Sequence, residues 1–182
     1  MSENHVCPWW MAYTFDNPLR RLIHNPVTIF DELVLPGMTV MDMGCGMGYF
    51  SIGMAKSVGD SGKVIAVDLQ QQMLDVMQKR AAREGVANRI EPHLSEADRI
   101  DLSSRIDFIL AFWVVHEFPD PASFFRKGAA LLKPEGRLLY SEPSFHVSAI
   151  KFNNIMTTAL ANGFKKVKDL DISFSRAALL SL

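Results

Sequence analysis

The 182-residue chain is poor in three things, and each scarcity excludes a class of protein. It has only two cysteines, Cys7 and Cys45, far apart in sequence. That supports neither a disulfide framework nor a paired-thiolate metal site, and both thiols are expected to be reduced. It has almost no net charge, with 19 Lys and Arg against 20 Asp and Glu. A near-neutral chain has no broad electrostatic footprint for a phosphate backbone, so no nucleic-acid partner is expected. Long apolar runs are missing as well. No stretch approaches the roughly 18 residues of a membrane span, and Met1 to Trp10 carries His5, Cys7 and Pro8 where a secretory signal would need an apolar core. The expectation is a cytoplasmic protein with no membrane partner.

What is present is enough apolar content, 48%, for one ordinary globular domain spanning residues 1–182, with no linker or repeat to divide it. Thr39 to Met43, Val64 to Val67, Arg89 to Leu94, Ile106 to Ala111 and Arg137 to Ser141 read as strands. Helical segments near Tyr49 to Val58, Gln71 to Glu84 and Pro121 to Leu132 alternate with them. Gly85 sits where a left-handed C-cap belongs, and Asp120-Pro121 supplies an N-cap and a first-turn proline. Such alternation predicts an α/β fold with a parallel sheet covered on both faces. Phe152, Ile155, Met156, Ala159 and Leu160 then recur at helical spacing up to Asn162-Gly163. Two β-like runs follow, Lys165 to Leu170 and Ile172 to Leu180, too close for a helix between them, so they form a hairpin with one antiparallel strand. The first 36 residues hold Trp9, Trp10, Tyr13 and Phe15, then Leu19, Leu22, Ile23, Ile29, Phe30 and Leu33. They read either as helices packed on the core of residues 37–182 or as a lid over a ligand.

The informative segment runs from Val40 to Phe50 through Asp42, Gly44, Cys45, Gly46 and Gly48. A strand ending in alternate glycines and opening into a helix lets the backbone approach a bound group closely, with the helix N–H groups facing it. The spacing is G-x-G-x-G, and Tyr49 stands where a dinucleotide fingerprint has its third glycine. Asp42, just before the loop, would repel a diphosphate and attract a sulfonium or ammonium ion. Asp68 closes the next strand, and a carboxylate there can accept both hydroxyls of a ribose. These residues ask for an adenosine-like ligand with a cationic tail, and they disfavour an NAD(P)-dependent oxidoreductase.

This pattern resembles the first two motifs of class I S-adenosylmethionine-dependent methyltransferases, in particular the small-molecule members related to ubiquinone and menaquinone methylation. Ser95-Glu96-Ala97 is similar to that family's adenine-binding segment, and Ile106 to Ala111 with Phe112 to Asp120 to its fourth strand and the His-x-x-Pro-Asp stretch after it. Leu131 to Leu139 is similar to its Leu-Lys-Pro-Gly-Gly turn, with Glu135 replacing one glycine. The resemblance implies a Rossmann-like three-layer sandwich whose seven-stranded, mostly parallel sheet has an antiparallel last strand. It implies S-adenosylmethionine as cofactor, held by Asp42, Gly44, Cys45, Gly46, Gly48, Asp68, Leu69, Met73, Ser95, Glu96, Ala97, Ala111 and Phe112. It also implies in-line methyl transfer to a small-molecule acceptor. A partner-dependent or non-catalytic cofactor-binding protein is the alternative.

No metal is required, and the spacing of His5, Cys7, His116, Glu142 and His146 matches no ligand motif. A base is needed only when the acceptor carries a proton at attack. His116 is the candidate for it, with a structural hydrogen bond as the competing role. Glu142 and His146 flank the end of the fifth strand, where they could line an acceptor site or serve only structural bonds. Cys45 is either a reactive thiol near a helix N-terminus or a small residue admitted by tight packing. In so compact a chain the acceptor pocket could stay open, and a homodimer is one way to close it.

Overall fold

The computed structural model describes residues 20–95 and 105–182. These fall into two compact units, one on each side of residue 96. The aromatic cluster Trp9, Trp10, Tyr13 and Phe15 and the expected adenine contacts Glu96 and Ala97 lie outside the described residues.

The first unit opens with two short helices, α1 (Arg20–Ile23) and α2 (Pro26–Phe30). Asn25 caps α2 by accepting the Val27 N–H, and Pro26 occupies its first turn. Phe30 and Val34 are buried while Leu22 is exposed, so only part of the apolar content of this segment packs. Phe30 meets Phe50 edge-on, with ring centroids 5.6 Å apart. Three parallel strands follow, β1 (Thr39–Met43), β2 (Lys63–Asp68) and β3 (Ile90–Leu94). The crossovers are α3 (Tyr49–Val58) and α4 (Gln71–Arg83). Nearly every residue of β1 and β2 is buried, as parallel strands covered on both faces require, and β3 is largely exposed. On α4 the buried side chains are Met73, Leu74, Met77 and Ala81, one apolar stripe on an otherwise polar helix. Gly85 follows with φ +70°, the left-handed stop expected of it.

The second unit contains β4 (Ile106–Phe112), α5 (Pro121–Leu131), β5 (Leu132–Pro143), α6 (Ala149–Ala161), β6 (Lys165–Leu170) and β7 (Ser175–Ser181). Asp120 caps α5 by accepting the Ala122 N–H at 3.0 Å, and Ser148 caps α6 by accepting that of Lys151. β4 and β5 are parallel, β7 is antiparallel to β5, and β6 is antiparallel to β7. β7 alone therefore runs against the rest, as the tight terminal hairpin demanded. The core here is aromatic. Tyr140 stacks on Phe152 at 4.9 Å, and Phe125 packs edge-on against Tyr140 and Phe164.

The strands line up as β3-β2-β1-β4-β5-β7-β6, a seven-stranded Rossmann-like α/β sheet. The main departure from the sequence reading is β5. It starts at Leu132, five residues before the expected Arg137, because Ile106 pairs with Leu132 and Phe108 already pairs with Arg137. The intervening Lys-Pro-Glu-Gly loops out of register, and its proline and glycine conceal the strand from a pattern search.

Candidate functional site

The glycine loop between β1 and α3 is tied to β2 at several points. Gly44 and Cys45 both donate their N–H to the Val67 carbonyl at 2.9 Å. Gly46 donates to Asp68 Oδ2 at 2.9 Å, and the other carboxylate oxygen accepts the Gln70 N–H at 2.9 Å. The backbone thus fixes both carboxylate oxygens at the end of β2, the group that could accept from a vicinal diol. Burial raises the Asp68 carboxyl above its ordinary value, opposed by the backbone N–H groups of Gln70, Gly46 and Leu69.

Two glycines in the loop serve different purposes. Gly48 has φ +81°, and a Cβ there would lie 2.3 Å from Met77 Cγ, so close packing of loop on α4 requires glycine. Gly46 has φ +52° and a Cβ would meet nothing within 4 Å. Its missing side chain leaves room rather than avoiding a neighbour. Gly48 is also the N-cap of α3 and supplies no side-chain acceptor, and within the first turn the Ser51 backbone N–H goes to Asp42.

Asp42 lies beneath this loop rather than on its surface. It is 2% exposed and accepts the Ser51 hydroxyl at 2.5 Å. Burial pushes its carboxyl up to about 6, with Ser51 and Arg20 pulling it down and Asp68 adding to the rise. Arg20 was not singled out in the sequence. Its guanidinium sits 4.7 Å from the centre of the Tyr49 ring and 5.0 Å from that of Phe50, a cation held on aromatic faces beside the acidic cradle. The Tyr49 hydroxyl is anchored on the His24 carbonyl at 3.0 Å. Ser51 was missed too, since one serine in an apolar helix carries no signal until its helix is docked.

Of the other expected contacts, Met73 is buried, Leu69 is exposed, and the Ser95 N–H bonds the Asp68 carbonyl at 2.9 Å. Cys45 is buried and its thiol is raised well above its ordinary value by burial, then by Asp42 and Asp68. That favours the packing role over a reactive thiol. Met41, Met43, Met47 and Met54 are core.

The second unit holds the remaining candidates. Ala111 is fully buried, and Phe112 stacks on Trp113 with centroids 5.3 Å apart. Trp113 has φ +61°, a strained conformation for a bulky residue. Its N–H to the Ser141 carbonyl at 2.7 Å and its indole N–H to Ser175 Oγ at 2.9 Å hold it there. Phe145, 63% exposed, meets Trp113 edge-on at 5.5 Å. His116 and Glu142, separate candidates in the sequence, are joined. The fully buried Glu142 meets His116 Nδ1 through Oε2 at 2.5 Å and accepts the His116 backbone N–H through Oε1 at 2.9 Å. His146 packs its ring edge-on against that of His116, 5.1 Å between centroids. Among the described residues no group of three His, Cys, Asp or Glu side chains is placed to hold a metal, and no helix is long and apolar enough to cross a membrane.

Residues 35–174 match the model of a family described as a methyltransferase domain. The chain belongs to this family. It is a class I methyltransferase of the S-adenosylmethionine-dependent kind. Among curated proteins, the ubiquinone biosynthesis O-methyltransferase of Xanthomonas euvesicatoria pv. vesicatoria is 31% identical over 136 residues, covering 73% of this methyltransferase and 55% of the relative. The chain thus spans little more than half the length of that relative. Among solved structures, a SAM dependent methyltransferase from Aquifex aeolicus shares the fold with a TM-score of 0.82 and 24% identity, covering 94% of this chain and 98% of that one. An S-adenosyl-L-methionine-dependent methyltransferase from Methanococcus maripaludis aligns with a TM-score of 0.79 and 18% identity, covering 100% and 96%.

Proposed function

We propose that this methyltransferase transfers the methyl group of S-adenosylmethionine to a small-molecule acceptor by in-line displacement. The observation that carries the reading is the cradle at the ends of β1 and β2. Gly46 leaves open space beside a loop whose own N–H is bonded to Asp68, and the backbone holds the Asp68 carboxylate in place next to it. When bound, S-adenosylmethionine supplies a methyl carbon activated by positive sulfur. Asp68 would hold the ribose hydroxyls, the loop and the first turn of α3 would lie along the amino-acid tail, and Asp42 would supply negative charge from below. Arg20 balances that charge and offers a cation to a carboxylate. Positioning and exclusion of water can supply up to roughly 7 to 11 kcal/mol of the barrier, so the chain needs no covalent chemistry of its own.

The acceptor side of the reading rests on Phe112, Trp113 and Phe145, an aromatic surface suited to an apolar or aromatic small molecule. The relatives named for ubiquinone biosynthesis support the same class. We place the enzyme in the cytoplasm, in keeping with a buried free thiol at Cys45.

Titration calorimetry tests the donor. S-adenosylmethionine and its demethylated product should bind while NADH gives no heat, and the opposite preference overturns the assignment. Asp68→Ala should weaken donor binding by about 2 kcal/mol, as expected when a charged hydrogen-bond partner is lost. Unchanged affinity in a folded variant would mean that the ribose is held elsewhere.

A further inference from the structure

We infer that Ser175, the first residue of β7, is a positioning residue that fixes the indole of Trp113 as one wall of an aromatic corner, and that this corner selects a flat, unsaturated ring as methyl acceptor. The inference rests on the proposed methyl transfer and narrows its acceptor from any apolar small molecule to one of a given shape.

The topology brings the parts together. Trp113 follows the carboxyl end of β4 and Phe145 follows that of β5, two parallel strands, so both stand at the edge where ligands of open α/β sheets sit. β7 runs against β5 with Ser175 opposite Pro143, so the reversal delivers the start of β7 to that same edge. A parallel last strand would carry Ser175 to the far edge. The Ser175 hydroxyl accepts the Trp113 indole N–H at 2.9 Å and donates to the Ser173 carbonyl at 3.4 Å, using a lone pair and its proton at once. The Trp113 backbone N–H is bonded to the Ser141 carbonyl at 2.7 Å, so main chain and ring are pinned separately.

The placement works against local preference. Trp113 at φ +61° and Phe174 at φ +57° are the non-glycine residues with left-handed backbone among the described residues, a conformation that bulky side chains disfavour. Glycine would hold either position without the penalty. Both strained residues belong to one patch, since Phe174 adjoins Ser175 and its carbonyl accepts the N–H of Ser144, the neighbour of Phe145, at 2.8 Å. Burial does not offset the strain at Phe174, which is 61% exposed, as Phe145 is 63% exposed. Strain that neighbouring bonds enforce in this way clusters at ligand clamps.

The shape of the corner sets its choice. Phe112 stacks on the indole at 5.3 Å and backs it, while Phe145 stands at 85° to it with 5.5 Å between centroids. A flat ring laid against either wall presents its edge to the other, and so gains a stacked and an edge-on contact together. A puckered saturated ring buries similar area and gains neither. An indole free to turn would not discriminate between them.

Phenol paired with cyclohexanol, and benzyl alcohol paired with cyclohexylmethanol, test the shape, because the members of each pair share ring size, hydroxyl group and neutral charge. Titrated into enzyme loaded with demethylated donor, the aromatic member of each pair should bind roughly 10-fold tighter. Ser175→Ala should bring that ratio close to one by weakening the aromatic member alone, and Ser175→Thr, which keeps the hydroxyl, should restore it. Phe145→Leu, at an exposed position, should lower the ratio too. With Trp9→Phe and Trp10→Phe in the background, Trp113 is the remaining tryptophan. Its indole N–H signal in proton–nitrogen correlation spectra should exchange slowly with solvent when residue 175 is Ser or Thr, and fast when it is Ala.

Equal affinities within the pairs in the wild type, which need no variant to measure, overturn the inference. So does a ratio that Ser175→Ala leaves unchanged, or one that Ser175→Thr fails to restore. Calorimetry with S-adenosylmethionine keeps the two levels apart. A wild type that binds no donor sinks the methyltransferase reading itself, and one that binds donor without preferring the flat rings sinks only this inference.

Discussion

Asp42→Asn removes a charge that the fold holds against its own preference. The carboxyl is buried to 2% exposure with one short bond from Ser51, and it rises from 3.8 to about 6. Between those values the folded protein keeps a proton that the unfolded chain has released. Stability contributed by the protonated group is therefore full below about pH 4 and is lost as pH climbs to about 6, staying low above. At about 1.4 kcal/mol for each pH unit, the whole loss is about 3 kcal/mol. Asparagine keeps an oxygen to accept from Ser51 and has no charge to desolvate. The variant should match the wild type near pH 3.5 and exceed it by 2 to 3 kcal/mol near pH 7.5, the order expected from removing the desolvation penalty. Urea unfolding of both proteins at intervals across that range measures it. Asp68 titrates in both and is coupled to Asp42 by charge, so the difference between the two curves reports Asp42 together with its effect on Asp68. Parallel curves, with no divergence between pH 4 and 6, would refute the reasoning. The same variant should bind S-adenosylmethionine more weakly, because the stability regained is charge withheld from a cationic ligand.

Other substitutions separate packing from ligand room. Gly48→Ala combines a left-handed backbone with a contact of 2.3 Å to Met77 and should cost about 3 kcal/mol of stability by thermal or urea unfolding. Gly46→Ala carries only the backbone strain, roughly 1 kcal/mol, yet fills the open space and should reduce donor affinity in calorimetry. The reverse ranking of stabilities would mean that the loop packs differently. Tyr140→Phe removes a buried hydroxyl that lies beside the Glu142 carboxylate without a well-formed hydrogen bond among the described residues, and should leave stability within about 1 kcal/mol or raise it. A loss beyond about 2 kcal/mol would reveal a partner for that hydroxyl.

Much of the framework was legible because local signals and global fold agree. Alternating strands and helices, the Asp120-Pro121 cap, the Gly85 stop and the tight terminal hairpin each appear in the structure where the sequence put them. Legibility failed where a segment broke its own pattern. The start of β5 escaped because Pro134 and Gly136 lie in a loop out of register, and Trp113 adopts a left-handed conformation that its type disfavours. In the cradle, Asp42 and Asp68 are recognisable as acids at strand ends, but the bond from the Ser51 hydroxyl that holds Asp42 in its buried place is not.

The sequence by itself determined the order of elements, the glycine spacing and the sites of the two strand-end acids, because each depends on neighbours within a few residues. Only the tertiary structure decided which groups face each other. Arg20 on the Tyr49 and Phe50 rings, Met77 against Gly48, and Glu142 on the backbone N–H and ring Nδ1 of His116 join residues 26 to 30 positions apart. No periodicity records such contacts. They exist because docking each helix and strand aims a side chain that local chemistry leaves free to turn.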